Sequence, residues 1–170
     1  MDNIIIRKAT IDDIEEVALL HVNSWYETYS GIISQSYLEN MKNNLVKRIE
    51  RMRNEFNLRM MIVAVIDNEI VGFSEFVLSN EFSKDLDIDC ELCGLYIKNG
   101  YKNLGLGSKM FEYVVNLFKE NNKKKMGLWC VKENIRAITF YDKKGGILTK
   151  EKTFTIDNQE YSEVSYTYHL

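Results

Sequence analysis

The sequence has little of several residue types, and each shortage argues against a class of protein. Its 170 residues include no proline, two histidines and three cysteines. Cys90 and Cys93 form a CxxC pair, but the two histidines, His21 and His169, lie near opposite ends of the chain and leave the pair without partners for a zinc site. An odd number of cysteines, two of them in an apolar strand pattern, favours small buried side chains over disulfides. We therefore expect no metal.

Long apolar runs and an excess of positive charge are also missing. No run approaches the roughly 18 apolar residues of a membrane-spanning helix. The N-terminal MDNIIIRKAT has only three apolar residues before charge appears, too few for a signal peptide. The net charge of -3 gives no basic excess for nucleic acid or an anionic membrane surface. We expect a cytoplasmic protein that binds neither.

What is present is a chain of single-domain length, 45% apolar, which predicts one domain over residues 1–170. Hydrophobic periodicity predicts the element order β, α, α, β, β, β, α, β, α, β, β. A central strand-helix-strand unit predicts a parallel crossover, flanked by antiparallel hairpins. The predicted strands cover 3–8, 60–66, 70–78, 88–97, 126–131, 147–156 and 160–169. The first predicted helix begins after Thr10. The other predicted helices cover about 34–56, with a break near 43–44, and then 104–121 and 135–144.

The stretch YKNLGLGSKM, residues 101–110, places two glycines between a predicted strand and a predicted helix. Glycine weakens a helix start by up to about 1 kcal/mol relative to alanine, so a compensating role is expected. Gly105 and Gly107 allow several backbone N–H groups to point to one spot, where the helix N-terminus adds positive potential. Such a site suits a pyrophosphate. The stretch fits neither the P-loop nor the dinucleotide-binding GxGxxG, since Met110 replaces the third glycine.

Two blocks of the sequence resemble one family. LYIKNGYKNLGLGSKM, residues 95–110, resembles the central motif of the GCN5-related N-acetyltransferases, in which a strand and a short turn lead to [Q/R]xxGxG/A at a helix start. NIRAITFYDKKG, residues 134–145, resembles the family's downstream Asn-x-x-Ala-x-x-Phe-Tyr-x-x-x-Gly element. The segment from His21 to Leu38 resembles the opening helices of many bacterial members. Lys102 replaces the usual Arg or Gln, which keeps the charge but loses the bidentate fork, and Asn99 replaces a frequent proline.

The resemblance implies a fold and a co-substrate. The fold is of the α/β class, a single domain with a central, mixed, mostly antiparallel sheet of about six to seven strands and helices on both faces. The co-substrate is acetyl-CoA. Main-chain groups of the strand are implied to pair with the pantetheine arm, and the backbone amides of the glycine stretch to hold the pyrophosphate. The implied cofactor-binding residues are Leu95, Tyr96, Ile97, Lys102, Asn103, Leu104, Gly105, Leu106, Gly107, Ser108, Asn134 and Tyr141.

Acetyl transfer to an amine needs an acid and a base, because an alkylamine of pKa about 10.4 is mostly protonated at neutral pH. Tyr141, at the family's Phe-Tyr position, is the predicted acid that protonates the departing sulfur; a plain core tyrosine is the alternative. Glu91 is the predicted base. It shares strand parity with Leu95 and Ile97, and a carboxylate in an apolar strand needs a reason. An ion pair is the alternative, and Glu75 is the next candidate base.

The acceptor site is predicted to include Trp25, Tyr26 and Tyr29 of the first helix, together with Glu75, because the family's acceptor cleft borders this helix. Aromatic walls with carboxylates suit a cationic amine. The predicted reaction is direct acetyl transfer, in a ternary complex, to a primary amine of a small molecule that is polyamine-like, amino-acid-like or antibiotic-like. The alternatives are a protein or peptide amine, and a non-catalytic acyl-CoA sensor.

The last strand suggests a homodimer. Its aromatic content is larger than one small sheet edge requires, which is typical of a surface covered by a second copy. The residues that suggest this interface are Tyr161, Val164, Tyr166 and Tyr168.

Overall fold

A computed structural model describes residues 4–170. The strands are β1 (Ile5–Lys8), β2 (Met60–Ile66), β3 (Glu69–Val77), β4 (Cys90–Ile97), β5 (Lys125–Val131), β6 (Ile147–Ile156) and β7 (Gln159–His169). The α-helices are α1 (Ile14–Tyr29), α2 (Gln35–Asn43), α3 (Leu45–Asn54), α4 (Leu106–Glu120) and α5 (Ile135–Lys143). Within this described part, no helix is long and apolar enough to cross a bilayer.

The element order agrees with the prediction, and the boundaries shift for local reasons. The predicted helical stretch 34–56 divides into α2 and α3 at Asn44, whose ψ of 25° leaves the helical range. Helix α4 begins at Leu106, two residues later than predicted, because Gly105 before it has a left-handed backbone. Residue 3, predicted to start the first strand, lies outside the described residues.

One seven-stranded sheet runs in the order β1-β2-β3-β4-β5-β7-β6. Its pairs are antiparallel except for β4 with β5, which α4 connects as a crossover. The β2–β3 and β6–β7 hairpins turn through Asp67-Asn68 and Asp157-Asn158, and all four residues have positive φ. Two-residue turns of this kind match the twist of the strands they join. The mixed, mostly antiparallel sheet predicted from the sequence is thereby confirmed.

Helices cover both faces of the sheet. On the face that we call the α4 face, Met110 and Phe118 of α4 pack against Leu92 of β4 and its neighbours. On the opposite face, the α1 face, Val17 of α1 packs with Phe73 of β3. Burying each of these side chains stabilises the fold by about 1.5–3 kcal/mol. The sheet therefore separates two cores. The face on which a strand residue's side chain lies decides which groups it can contact.

The start of α1 is held by an ionic contact. Arg7 donates two hydrogen bonds to the Asp13 carboxylate, at 2.7 and 2.9 Å, and the backbone N–H of Thr10 donates to the same carboxylate at 2.6 Å. The Arg7 contact lowers the pKa of Asp13 to about 2. This contact ties strand β1 to the helix that borders the acceptor side.

The aromatic residues of β7 lie inside the fold. Val164, Tyr166 and Tyr168 are 3%, 1% and 7% exposed, and half-buried Tyr161 packs against a small core that includes Leu38. The exposed aromatic strip that suggested a homodimer is therefore absent, and the homodimer itself stays a prediction.

Candidate active site

The strands β4 and β5 separate after a short paired segment. They pair only at Cys90 with Met126 and at Glu91 with Gly127, and no other described strand pairs with this edge of β4. A pocket of about 470 Å³ lies at the gap. The free edge suits the amide-bearing pantetheine arm, because backbone groups of an unpaired strand can hydrogen-bond an extended chain. Three predicted cofactor residues line the pocket on this edge: Leu95, Tyr96 and Ile97.

The turn before α4 forms one wall of the pocket. Asn103 and Gly105 have positive φ, 65° and 77°, so the backbone curls before the helix begins. A Cβ on Gly105 would meet no atom within 4 Å, which shows that its backbone conformation, and not crowding, requires glycine. The pocket is lined here by Lys102, Asn103, Gly105, Gly107 and Ser108. Of the remaining predicted residues, Leu104 is exposed and Leu106 is buried in the core, and neither lines the pocket.

Two cations lie at this turn. Lys102 Nζ is 3.6 Å from Glu27 Oε2 of α1. Arg136, at the start of α5, donates from Nη2 to Asn103 Oδ1 at 2.8 Å and also lines the pocket. Arg136 was not predicted from the sequence. Its guanidinium supplies the planar fork that Lys102 lacks, beside a helix N-terminus that already favours anions.

Helix α5 brings two predicted residues to the pocket. Asn134 caps the helix, since its Oδ1 accepts a hydrogen bond from the Ala137 N–H at 3.1 Å, and it also lines the pocket. Tyr141 lines the pocket from the α4 face, with 8% of its surface exposed. Burial raises the pKa of Tyr141 well above its ordinary value. Its phenol is therefore protonated at neutral pH and able to donate a hydrogen bond.

The four predicted acceptor residues divide into two pairs. Trp25 and Tyr29 line the pocket, and Trp25 Nε1 donates to the Tyr96 hydroxyl at 3.2 Å. Tyr26 and Glu75 do not line it. The Tyr26 ring lies beneath the Lys42 ammonium, 3.4 Å from its centroid. Glu75 Oε2 lies 3.4 Å from Arg59, and burial raises the pKa of the Glu75 carboxyl.

Glu91 lies on the α1 face, and its predicted parity was wrong. Glu75 of β3 pairs with Gly94, but the next residue pairs with Leu92, so Cys93 is an extra residue in β4. Such a bulge reverses the alternation of side chains beyond it. Leu92 consequently shares the α4-face core with Leu95, and Glu91 points the other way. Glu91 does not line the pocket.

The environment of Glu91 is that of a buried, incompletely bonded carboxylate. Its surface is 6% exposed, and Oε2 has no hydrogen-bond partner. Burial raises the pKa of this carboxyl, while nearby Ser83, Lys152 and Arg59 act in the opposite direction. The Glu91 carboxylate is therefore a stronger proton acceptor than an exposed carboxylate, but it does not line the pocket.

Several pocket residues were not predicted from the sequence, among them Cys93 in the bulge, Trp129 of β5, Phe154 of β6 and Glu163 of β7. Burial raises the pKa of Cys93 to about 12, so it is present as a thiol. One signal in the sequence could have pointed to Glu163. The apolar residues Val164, Tyr166 and Tyr168 alternate along the strand and face the core, so Glu163 must point to the other face of the sheet. Among residues 4–170, no group of three or more His, Cys, Asp or Glu side chains is placed to hold a metal ion.

A mixed sheet that opens between two parallel strands, with a glycine turn on one side and a buried tyrosine on the other, defines an acyl-CoA-dependent transferase. Comparison with known proteins gives the same class. The model of the Acetyltransferase (GNAT) family matches residues 22–146. The chain belongs to this family, and it is an acetyl-CoA-dependent N-acetyltransferase.

The relatives agree in fold and reaction class. The chain is 27% identical over 147 residues to spermidine N(1)-acetyltransferase of Thermoplasma acidophilum, which covers 82% of this chain and 86% of that protein. The fold resembles PaiA N-acetyltransferase of the same organism, crystallised with coenzyme A, at a TM-score of 0.73 and 23% identity over 98% and 99% of the two chains. It also resembles yncA of Salmonella typhimurium with acetyl-CoA, at a TM-score of 0.70 and 15% identity over 99% and 94%.

Proposed function

We propose that the protein acetylates a primary amine of a small polyamine-like cation, by direct transfer from acetyl-CoA in a ternary complex. The observation that carries this proposal is the continuous pocket, which runs from the Gly105 turn past Tyr141 to an end formed by Trp129, Phe154 and Glu163. An aromatic wall with one carboxylate suits an alkylammonium group. The name of the Thermoplasma relative, a spermidine acetyltransferase, supports the same class of acceptor.

The cofactor half of the pocket fits acetyl-CoA. In the proposal, backbone groups of Leu95, Tyr96 and Ile97 hydrogen-bond the pantetheine arm along the free edge of β4. The amides from Asn103 to Ser108 bind the pyrophosphate at the start of α4, with Lys102 and Arg136 as neighbouring cations. Asn134 lies at the other wall, where it meets the arm.

Proton transfer completes the reaction. The amine nitrogen attacks the thioester carbonyl carbon, and the carbon–sulfur bond then breaks as the tetrahedral intermediate collapses. Tyr141, which its raised pKa keeps protonated, donates a hydrogen bond to the sulfur as negative charge develops there, passes its phenolic proton to the departing thiolate and regains a proton from solvent. Glu91 accepts the amine proton through water, because its side chain does not line the pocket. Glu75 is the alternative acceptor on the same face.

Other acceptors receive less support from the site. An amino-acid-like or antibiotic-like amine would use the same aromatic end, with its further groups toward solvent. A protein or peptide amine is a second candidate for which no specific feature of the pocket argues. The non-catalytic sensor is disfavoured by the position of Tyr141 beside the cofactor cleft. Cytoplasmic location is supported by three free cysteines, which are typical of a reducing compartment.

The test measures thiol release from acetyl-CoA with polyamines, aminoglycosides, amino acids and short peptides. We expect turnover with polyamines, and a fall in kcat of at least about tenfold in Tyr141→Phe. Tyr166→Phe is the matched control, since it removes a buried hydroxyl that bonds Asp142 at 2.7 Å outside the pocket. Equal rates in wild type and Tyr141→Phe would contradict the acid role. Turnover with peptides alone would contradict the acceptor class.

A further inference from the structure

One of the protein's own ammonium groups lies at the acceptor end of the pocket. Lys152 Nζ of β6 is 3.8 Å from the centroid of the Trp129 ring and 3.4 Å from Glu163 Oε1. Trp129 and Glu163 both line the pocket, so the Lys152 ammonium lies against two of its lining residues. An aromatic face and a carboxylate around one ammonium are the groups that bind an alkylammonium ligand.

We infer that Lys152 occupies the cation subsite of the acceptor pocket, and that an acceptor with a second ammonium binds by displacing it. Lys152 is then a specificity-determining residue, because only a substrate that brings its own distal cation replaces the lost contacts. The inference rests on the proposed function. It adds the subsite that binds the acceptor's second ammonium group and the lysine that competes for that subsite.

The contacts of Lys152 are of the kind that a ligand can replace. Its side chain is 40% exposed, and an exposed lysine–carboxylate pair contributes about 0.2–1 kcal/mol. The released ammonium enters water, where it is strongly hydrated. Lys152 lies directly across from Glu163 in the β6–β7 pairing, and because its side chain is partly open to solvent, a change of rotamer can release it without a change in the backbone.

Displacement also changes the charge that an acceptor meets. Lys152 acts on Glu91 as well as on Glu163, since it opposes the rise in the pKa of Glu91 that burial causes. Once Lys152 leaves, the carboxylates of Glu91 and Glu163 on the α1 face lose this neighbouring cation. A polyamine's second ammonium compensates them, while a monoamine has no group to do so.

The experiment measures the KM for spermidine in wild type, Lys152→Met, Glu163→Gln and the double variant. We expect Lys152→Met to lower this KM about fivefold and Glu163→Gln to raise it about fivefold. In the Glu163→Gln background, the Lys152→Met change should have less than about a twofold effect, because the two residues act on one subsite. Lys152→Arg, which keeps the cation, should retain the wild-type KM.

Lys132→Met is the matched control, since it removes a comparable pair, Lys132 with Glu151 at 2.6 Å, outside the pocket. Its KM for spermidine should equal that of the wild type. A merely structural role of Lys152 would instead change the Tm and the KM for acetyl-CoA along with the KM for spermidine. An unchanged or increased KM for spermidine in Lys152→Met overturns the inference.

Calorimetric binding of spermidine to the protein saturated with coenzyme A separates this inference from the proposed function. Absence of amine turnover by the wild type would contradict the proposed function alone. Tighter spermidine binding by Lys152→Met than by wild type would still support the subsite. Equal binding would overturn it, whatever the turnover.

Discussion

The two ends of the pocket are built in different ways. In our proposal, the cofactor end uses mainly the backbone of residues 95–108, whose shape follows from a free strand edge and a left-handed glycine. The proposed acceptor end uses side chains from α1, the β4 bulge, β5, β6 and β7. A site made of backbone tolerates changes of side chain but not of backbone conformation. A site made of side chains responds to single charges, and that is where relatives of one fold can differ in substrate.

The largest effect should come from the backbone of the cofactor end. Gly105→Val forces a branched residue into φ of 77°, at about 1–2 kcal/mol, and displaces the amides of the turn. We expect the KM for acetyl-CoA to rise at least about tenfold, measured by thiol release. Gly145→Val is the control, since φ there is 81° with equally open space, beyond the end of α5 and outside the pocket. A similar KM in both variants would show that the turn does not bind the cofactor.

A smaller effect is expected from the buried carboxylates of the α1 face. Glu91→Gln should lower kcat/KM about tenfold at neutral pH and remove the acidic limb of the pH profile, because an amide cannot accept the proton. Glu75→Gln should keep that limb, since Glu75 pairs with Arg59. If Glu75→Gln removed the acidic limb and Glu91→Gln kept it, Glu75 would be the base instead of Glu91. Profiles of kcat/KM between mildly acidic and neutral pH make this distinction.

The smallest effect on activity should come from the anchor of α1. Asp13→Asn removes the pairing with Arg7 and should lower the free energy of unfolding by about 1–2 kcal/mol at neutral pH, with both KM values unchanged. The pKa of Asp13 is lowered to about 2, so its stabilisation is present above the unfolded pKa and is lost as pH falls through about 2. Urea unfolding should therefore show the two proteins converging in acid. A constant difference across that range would contradict the ionic origin.

Most of the residues predicted to bind the cofactor line one pocket, because their signals are local, and their binding role stays a prediction. The residues around Gly105 occupy one turn, and Asn134 and Tyr141 lie seven residues apart on one helix, so neighbours along the chain are neighbours in space. Trp25 and Tyr29 also reach the pocket as predicted. Arg136 was missed although it lies within the same block, since an exposed arginine near a helix start has no distinctive pattern.

The positions of Glu91, Glu163 and Lys152 could not be predicted from the sequence, for a physical reason. Strand parity reports a side chain's face only while the pairing register is continuous, and the extra residue at Cys93 breaks it. Glu91 was therefore assigned to the wrong face. Glu163 and Lys152 are ordinary strand residues in the sequence. Only the antiparallel pairing of β6 with β7, and the approach of Trp129 on β5, brings them together.

The sequence by itself determined the order of helices and strands, the hairpin turns, the left-handed glycine before α4 and the position of Tyr141 on α5. Each depends on backbone preferences and periodicity within a few residues. Tertiary structure alone decided where β4 and β5 separate, which face Glu91 occupies, and which lysine meets the acceptor pocket. Those features depend on pairing between segments far apart in the chain, where one inserted residue exchanges the two faces of a strand.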